Sequence, residues 1–280
     1  MTVMLSEQQL LHYRTFGYVI IRNVFTPDEI RTMEKEFDAT VERDGEIVPK
    51  ANETNHQHML ILGDDSPFSA ALTEDERLYG PATQVCGQDA VLWEWRAYRW
   101  FTFKGTEWHC NDGDATLGCY LYGLIYQWPV FAPVHADTGA LRVIPGSHRP
   151  EFQWELNKAD AAGLLDPIAE VGAVVCEAEL GDVVAFDSRI FHGSAPYDKV
   201  RRTYGAIYLH FPETREEAAM TGAAFPPGGE QWVQWRANKP HSAFREKWED
   251  QVKRIKEAQD RCGLRVERPP DRPSAELVRA

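Results

Sequence analysis

The feature that most constrains this chain is a change of period at residue 90. From there to residue 211, short runs rich in aromatic and β-branched residues follow one another. They lie at 91–103, 117–128, 140–144, 173–179, 183–186 and 203–211, with Gly, Pro and Asp between them. Runs of this length and composition read as strands of one antiparallel barrel or sandwich. With 43% apolar residues the chain has ample material for a core. All-β units often reach 200 residues or more as one domain, so a single domain over 1–264 is expected.

The stretch before residue 90 has helical punctuation. Ser6-Glu7-Gln8-Gln9 is a capping box that opens a helix carrying Leu10, Tyr13 and Phe16 on one face, and Gly17 ends it. Tyr18 to Ile21 reads as a short strand. Thr26-Pro27-Asp28-Glu29 starts a second helix with a Thr cap, Pro in the first turn and acids at the positive end. Its buried stripe is Ile30, Met33, Phe37 and Val41. These N-terminal helices span about 6–43. The segment from Asp44 to Asp89 is irregular, and a loop of that length is either functional or hides short helices. With His56, His58 and Met59, it is expected to form part of a pocket lid. Near the end, Phe244, Trp248, Val252, Ile255 and Cys262 recur at helical steps, giving a helix at about 242–262 capped by Gly263. Residues 265–280 are Pro- and charge-rich and read as a tail.

Charge excludes some partners. A formal net charge of −13 argues against nucleic acid, whose phosphates it would repel. It also offers no basic mouth for an acyl-CoA. The longest apolar runs, such as Tyr18 to Ile21, are too short to cross a bilayer, so no membrane association is expected. Cys86, Cys110, Cys119, Cys176 and Cys262 are odd in number and scattered, with no metal or redox spacing. That pattern suits reduced thiols and a cytoplasmic protein. The sequence is compatible with a homo-oligomer and does not require one.

Three segments carry the chemistry: Trp108-His109-Cys110-Asn111-Asp112-Gly113-Asp114, Gly139-Ala140-Leu141-Arg142-Val143-Ile144-Pro145-Gly146-Ser147-His148, and Phe191-His192-Gly193-Ser194 with Arg201 and Arg202 after it. Two histidines and an acid on one face, with open positions beside them, are the ligand set of a non-haem iron(II) oxygenase. Trp108 and Phe191 flank the histidines and are expected to keep a small site dry. A lone histidine is more often a surface or core residue; two in the right order, each in a recognisable context, outweigh that reading.

These segments, with Tyr13 and Gly17 to Phe25 upstream, resemble the phytanoyl-CoA dioxygenase family of iron(II)/2-oxoglutarate-dependent oxygenases. The likeness covers most of the chain, and the 83 residues from His109 to His192 suit it. It implies a mainly β fold with flanking helices: a double-stranded β-helix, or jelly roll, at about 90–212, with the C-terminal helix over one edge. It also implies an enzyme that uses Fe(II), 2-oxoglutarate and dioxygen. In the family, the acid stands two residues after the first histidine. Here that place holds Asn111. A one-residue insertion instead aligns Asp112-Gly113-Asp114 with the family's Asp-Gly-Asp. The implied ligands are therefore His109, Asp112 and His192, with Asn111 as the alternative to Asp112. A β-bulge could re-aim the side chain in this way.

The far carboxylate of 2-oxoglutarate calls for a fixed arginine fork. The family places it on the strand after the distal histidine, where Arg201 and Arg202 both qualify, and only one can face inward. The residues that follow favour Arg201. A basic residue on the 91–103 strand, Arg99 or Arg96, is expected to assist. The bland alternative is that they are solvent-facing charges on an edge strand. His135-Ala136-Asp137 spells a ligand pair, but it sits two residues before Gly139 and reads as a rim loop. His148, Gly139 and Gly146 read as turn residues. The expected reaction is oxidation, most simply hydroxylation, of an aliphatic C–H in a small molecule, releasing succinate and CO2. The rivals are a non-catalytic binding jelly roll that has lost the acid, and an iron-dependent isomerase or lyase.

Overall fold

The computed structural model describes residues 4–45, 56–61, 65–101, 105–110 and 123–211, together with Lys253 and Glu257. Helix α1 (Glu7–Phe16) starts at the Ser6 capping box and ends at Gly17 in the left-handed region, φ 82°. Strand β1 (Tyr18–Ile21) follows, and α2 (Pro27–Asp44) starts at the Thr26 capping box. Ile30, Met33 and Phe37 of α2 are buried as the pattern requires, and Glu36 and Thr40 are buried beside them.

The irregular segment does hide ordered elements. Strand β2 (His56–Leu60), α3 (Pro67–Ala71) and α4 (Glu76–Cys86) lie in it. Glu36 explains how a five-residue helix holds its place. From α2, its carboxyl oxygens accept from Phe68 N, Ser69 N and Ser69 Oγ at 2.6–2.8 Å, capping α3 from within the core.

The remaining strands are β3 (Val91–Phe101), β4 (Thr106–His109), β5 (Gly123–Pro129), β6 (Leu141–Val143), β7 (Val174–Cys176), β8 (Val183–Asp187), β9 (His192–Ser194) and β10 (Val200–Leu209). They form two antiparallel sheets. One is ordered β1-β8-β5-β10-β3-β2, the other β4-β9-β6-β7. This is the jelly roll that the spacing of the strands and the family likeness imply. Two helices between β6 and β7, α5 (Pro150–Ala161) and α6 (Leu165–Gly172), have no counterpart in the strand pattern. Their Leu156, Leu165 and Ala169 form a second small core with Ile144 and Phe191, against which Trp108 packs. The C-terminal helix expected at about 242–262 lies outside the described residues except for Lys253 and Glu257, both helical and paired at 4.0 Å.

Arg77 ties the N-terminal layer to α4. Its guanidinium reaches both oxygens of Glu29 (2.7 and 3.0 Å), both of Asp75 (2.7 and 2.8 Å) and the Val24 carbonyl (2.9 Å). The guanidinium beside Glu29 holds that carboxyl down at about 2. A carboxyl depressed in the folded state stabilises the fold above its unfolded value, and the benefit is lost as pH falls through the folded one. Arg77→Met should therefore cost about 2 kcal/mol near neutrality in urea unfolding. The gap between variant and parent should narrow between about pH 4.5 and 2.

Candidate active site

Antiparallel pairing of β4 with β9 places His109 directly opposite His192. Their ring centroids are 4.3 Å apart. Thr106 pairs with Ser194, so β4 carries one extra residue between Thr106 and His109, a bulge just upstream of the first histidine. His109 Nδ1 lies 2.8 Å from the Glu107 carbonyl and His192 Nδ1 2.9 Å from that of Ile190. A carbonyl only accepts, so both Nδ1 atoms carry the hydrogen and turn each Nε2 away from that carbonyl. His192 is buried, and that burial, with His109 beside it, pushes its pKa down to about 3. His109 is exposed. Two imidazoles fixed from behind through Nδ1 could each give an Nε2 to one metal ion.

The motif at 139–148 contributes none of these ligands, but it holds the strand that does. Val143 pairs with His192, Ser147 Oγ accepts from Phe191 N (2.8 Å), and Gly146 N donates to Phe16 O (2.8 Å). His148 is buried against Gly17, where a Cβ would come within 2.5 Å of its Nδ1, so its role is structural. His135 caps a 3-10 turn beside Glu179 and lies outside the cavity.

A cavity of about 300 Å³ lies between the sheets, with both histidines in its wall. Strand alternation decides which arginine reaches it. Arg201 lines the cavity and is 8% exposed. Its Nε has no partner among the described residues, and burial pushes its pKa down to about 10, still charged at neutral pH. Arg202 turns to the other face, over the Phe131 ring and 3.5 Å from Asp38. Arg99 also faces away, bonded to Gln57 Oε1 at 2.8 Å. Neither Arg99 nor Arg202 borders the cavity, because both lie one residue off the inward register. The strand carrying Arg99 is not an edge, since β2 pairs outside it.

Trp108 and Phe191 correct another expectation. They pack with the α5 and α6 core on the outer face of the small sheet, and the ring beside His192 is Phe186, at 5.0 Å. The lid residues divide by alternation as well. His56 and His58 line the cavity, whereas Met59 is buried on the opposite side. Cys86, Cys110 and Cys176 are in no disulfide.

Several wall residues carried no recognisable sequence signal. In β10, Gly205 leaves room for Tyr98, whose ring a Cβ would approach to 2.7 Å. In β3, Leu92 pairs with Tyr208 and Glu94 with Ile207, so Trp93 is an inserted residue, and both Trp93 and Glu94 line the cavity. Asn111 and Asp112 lie outside the described residues, as does the bulge expected there. Among the described residues, no group of three His, Cys, Asp or Glu side chains is placed to hold a metal ion, and no helix is long and apolar enough to cross a membrane.

Gly205→Ala should displace Tyr98 and cost about 1–3 kcal/mol as an overpacked site. Denaturant melting checks the cost.

Comparison with known proteins shows the family and the fold. The family model for phytanoyl-CoA dioxygenase matches residues 13–203. An ectoine dioxygenase of Bordetella bronchiseptica is 24% identical over 221 residues, covering 68% of this chain and 70% of that protein. HygX of Streptomyces hygroscopicus, solved with nickel and 2-oxoglutarate bound, superposes with a TM-score of 0.61 at 19% identity, over 74% of this chain and 87% of that one. SnoN, an α-ketoglutarate-dependent epimerase from nogalamycin biosynthesis, gives 0.57 at 17% identity, over 73% and 82%. At these identities the two structures speak for the fold alone. With the family model matched over most of its length, the chain belongs to the phytanoyl-CoA dioxygenase family, and so to the non-haem iron(II)/2-oxoglutarate-dependent dioxygenases.

Proposed function

We propose that this enzyme hydroxylates an aliphatic C–H of a small organic molecule. The balance is substrate, 2-oxoglutarate and dioxygen in; alcohol, succinate and CO2 out. The observation that carries the reading is one cavity holding two fixed imidazoles and a buried arginine whose Nε has no partner among the described residues. A buried charge left alone is costly, so the site is built for an anion.

His109 and His192 would each give an Nε2 to iron(II), and Asp112 the third, carboxylate ligand, with Asn111 as the alternative. Arg201 would receive the far carboxylate of 2-oxoglutarate through its planar fork. When bound, iron(II) and 2-oxoglutarate supply the activation of dioxygen for attack on the C–H bond. The protein's part is orientation and dryness. The Glu107 and Ile190 carbonyls fix the two rings. Phe186 and Ile125 close the floor against water. A cytoplasmic setting is consistent with the scattered cysteines.

The second reading is a binding module that has lost the acid, motivated by Asn111. Anaerobic absorption titration with iron(II) and then 2-oxoglutarate separates the two. A weak visible charge-transfer band is expected in the parent protein, absent in His192→Ala and in whichever of Asp112→Ala and Asn111→Ala removes the ligand. No band in the parent would overturn the oxygenase reading. Arg201→Leu should keep iron binding and weaken 2-oxoglutarate by roughly 30- to 100-fold, about 2–3 kcal/mol for a charge-assisted pair. Equal affinity in that variant would remove Arg201 from the role.

A further inference from the structure

Opposite the histidine pair, the cavity wall is a cluster of rings around one carboxyl. His56 stacks on His58 (4.1 Å), His58 meets Tyr98 edge-on (4.6 Å), Tyr98 stacks on Trp100 (5.1 Å), and Trp100 returns to His56 (4.8 Å). The bulge in β3 adds Trp93 and Glu94 to this wall. The Glu94 side chain is only 10% exposed. Its Oε1 accepts from the Tyr98 hydroxyl and lies 3.9 Å from Arg96 Nε, too far for a hydrogen bond. Arg96 instead donates to His58 Nδ1 at 2.7 Å. Glu94 Oε2 has no protein donor among the described residues.

We propose that Glu94 and its ring wall select a compact substrate bearing a protonated nitrogen. This rests on the oxygenase reading for what happens to the substrate, but not for how it is bound. A carboxyl inside a dry wall needs a donor or a cation to offset its lost hydration. Burial pushes the Glu94 carboxyl up and Arg96 only partly opposes it, so the protein leaves that compensation incomplete. Indole and phenol faces attract cations, and Trp93 and Tyr98 both border the same space. An acidic substrate would bring a second carboxyl to Glu94 and no cation to offset it. A wholly apolar one would seal Oε2 away from any donor. With 2-oxoglutarate between Arg201 and the histidines, a cavity of about 300 Å³ admits only a small ring or short chain.

The test is calorimetric titration of the anaerobic iron(II)–2-oxoglutarate protein with three probes of similar shape at pH 7. They are piperidine (protonated), tetrahydropyran (neutral) and cyclohexanecarboxylate (anionic). The expected result is at least tenfold tighter binding of piperidine than of the other two. Glu94→Gln should lose that preference while 2-oxoglutarate affinity stays within twofold. Equal binding of the three, preference for the carboxylate, no piperidine binding at millimolar concentration, or an unchanged preference in Glu94→Gln would each overturn the proposal. If the variant does not fold, the comparison in the parent protein decides. The charge-transfer band in the same samples separates the two readings. Amine preference without a band overturns the iron assignment alone, and a band without amine preference overturns the role of Glu94 alone.

Discussion

Antiparallel pairing between β4 and β9 sets the spacing from which the site follows. His109 and His192 are far apart in sequence, yet as directly opposed residues they must share a face. Each ring is then held by its own strand, through a carbonyl two residues back, so ring orientation needs no distant support. The short strands leave little to hold them in place. Ser147 on the Phe191 amide and the α5–α6 layer behind Trp108 supply what is missing.

Across the cavity, the long strands β3 and β10 work differently. They pair along almost their whole length, which makes them rigid enough to carry charge in a dry place. Arg201 and Glu94 sit on that surface, one on each strand. Among the described residues Arg201 Nε has no partner and Glu94 accepts only from the Tyr98 hydroxyl, so the two ends of the cavity call for opposite partners. Glu36 shows the contrasting case. It is buried too, but three donors satisfy it and its work is purely structural.

Much of this architecture is legible in the sequence because it rests on local chemistry. Capping boxes at Ser6 and Thr26 and turn glycines at Gly17, Gly139 and Gly146 act within a few residues, and the structure places them as the pattern requires. Strand runs after residue 90 are legible for the same reason. Facing direction is a different matter. Arg99, Arg201 and Arg202 are equivalent in composition, and only the register of β10 against β3 separates them. Trp108 and Phe191 mislead for the same reason: a neighbour in sequence is on the opposite face of a strand. The helices α5 and α6 interrupt a strand pattern with short, mixed segments whose few buried residues meet only once folded. The ring wall was hidden because β2 sits inside an irregular stretch, and an inserted residue in β3 breaks the alternation that would have announced Trp93 and Glu94.

That inserted residue has an evolutionary consequence. Beyond it, the strand keeps its pairing with β10, so a gain or loss of one amino acid here leaves the barrel intact. What changes is whether one or two neighbouring side chains look inward. A lineage could thus exchange the chemistry of its binding wall through a single-codon insertion or deletion, with the histidine pair on the facing sheet untouched. Descendants of such a scaffold would differ at the wall by indels rather than by point substitutions, and their ligand preferences would change in steps rather than by degrees.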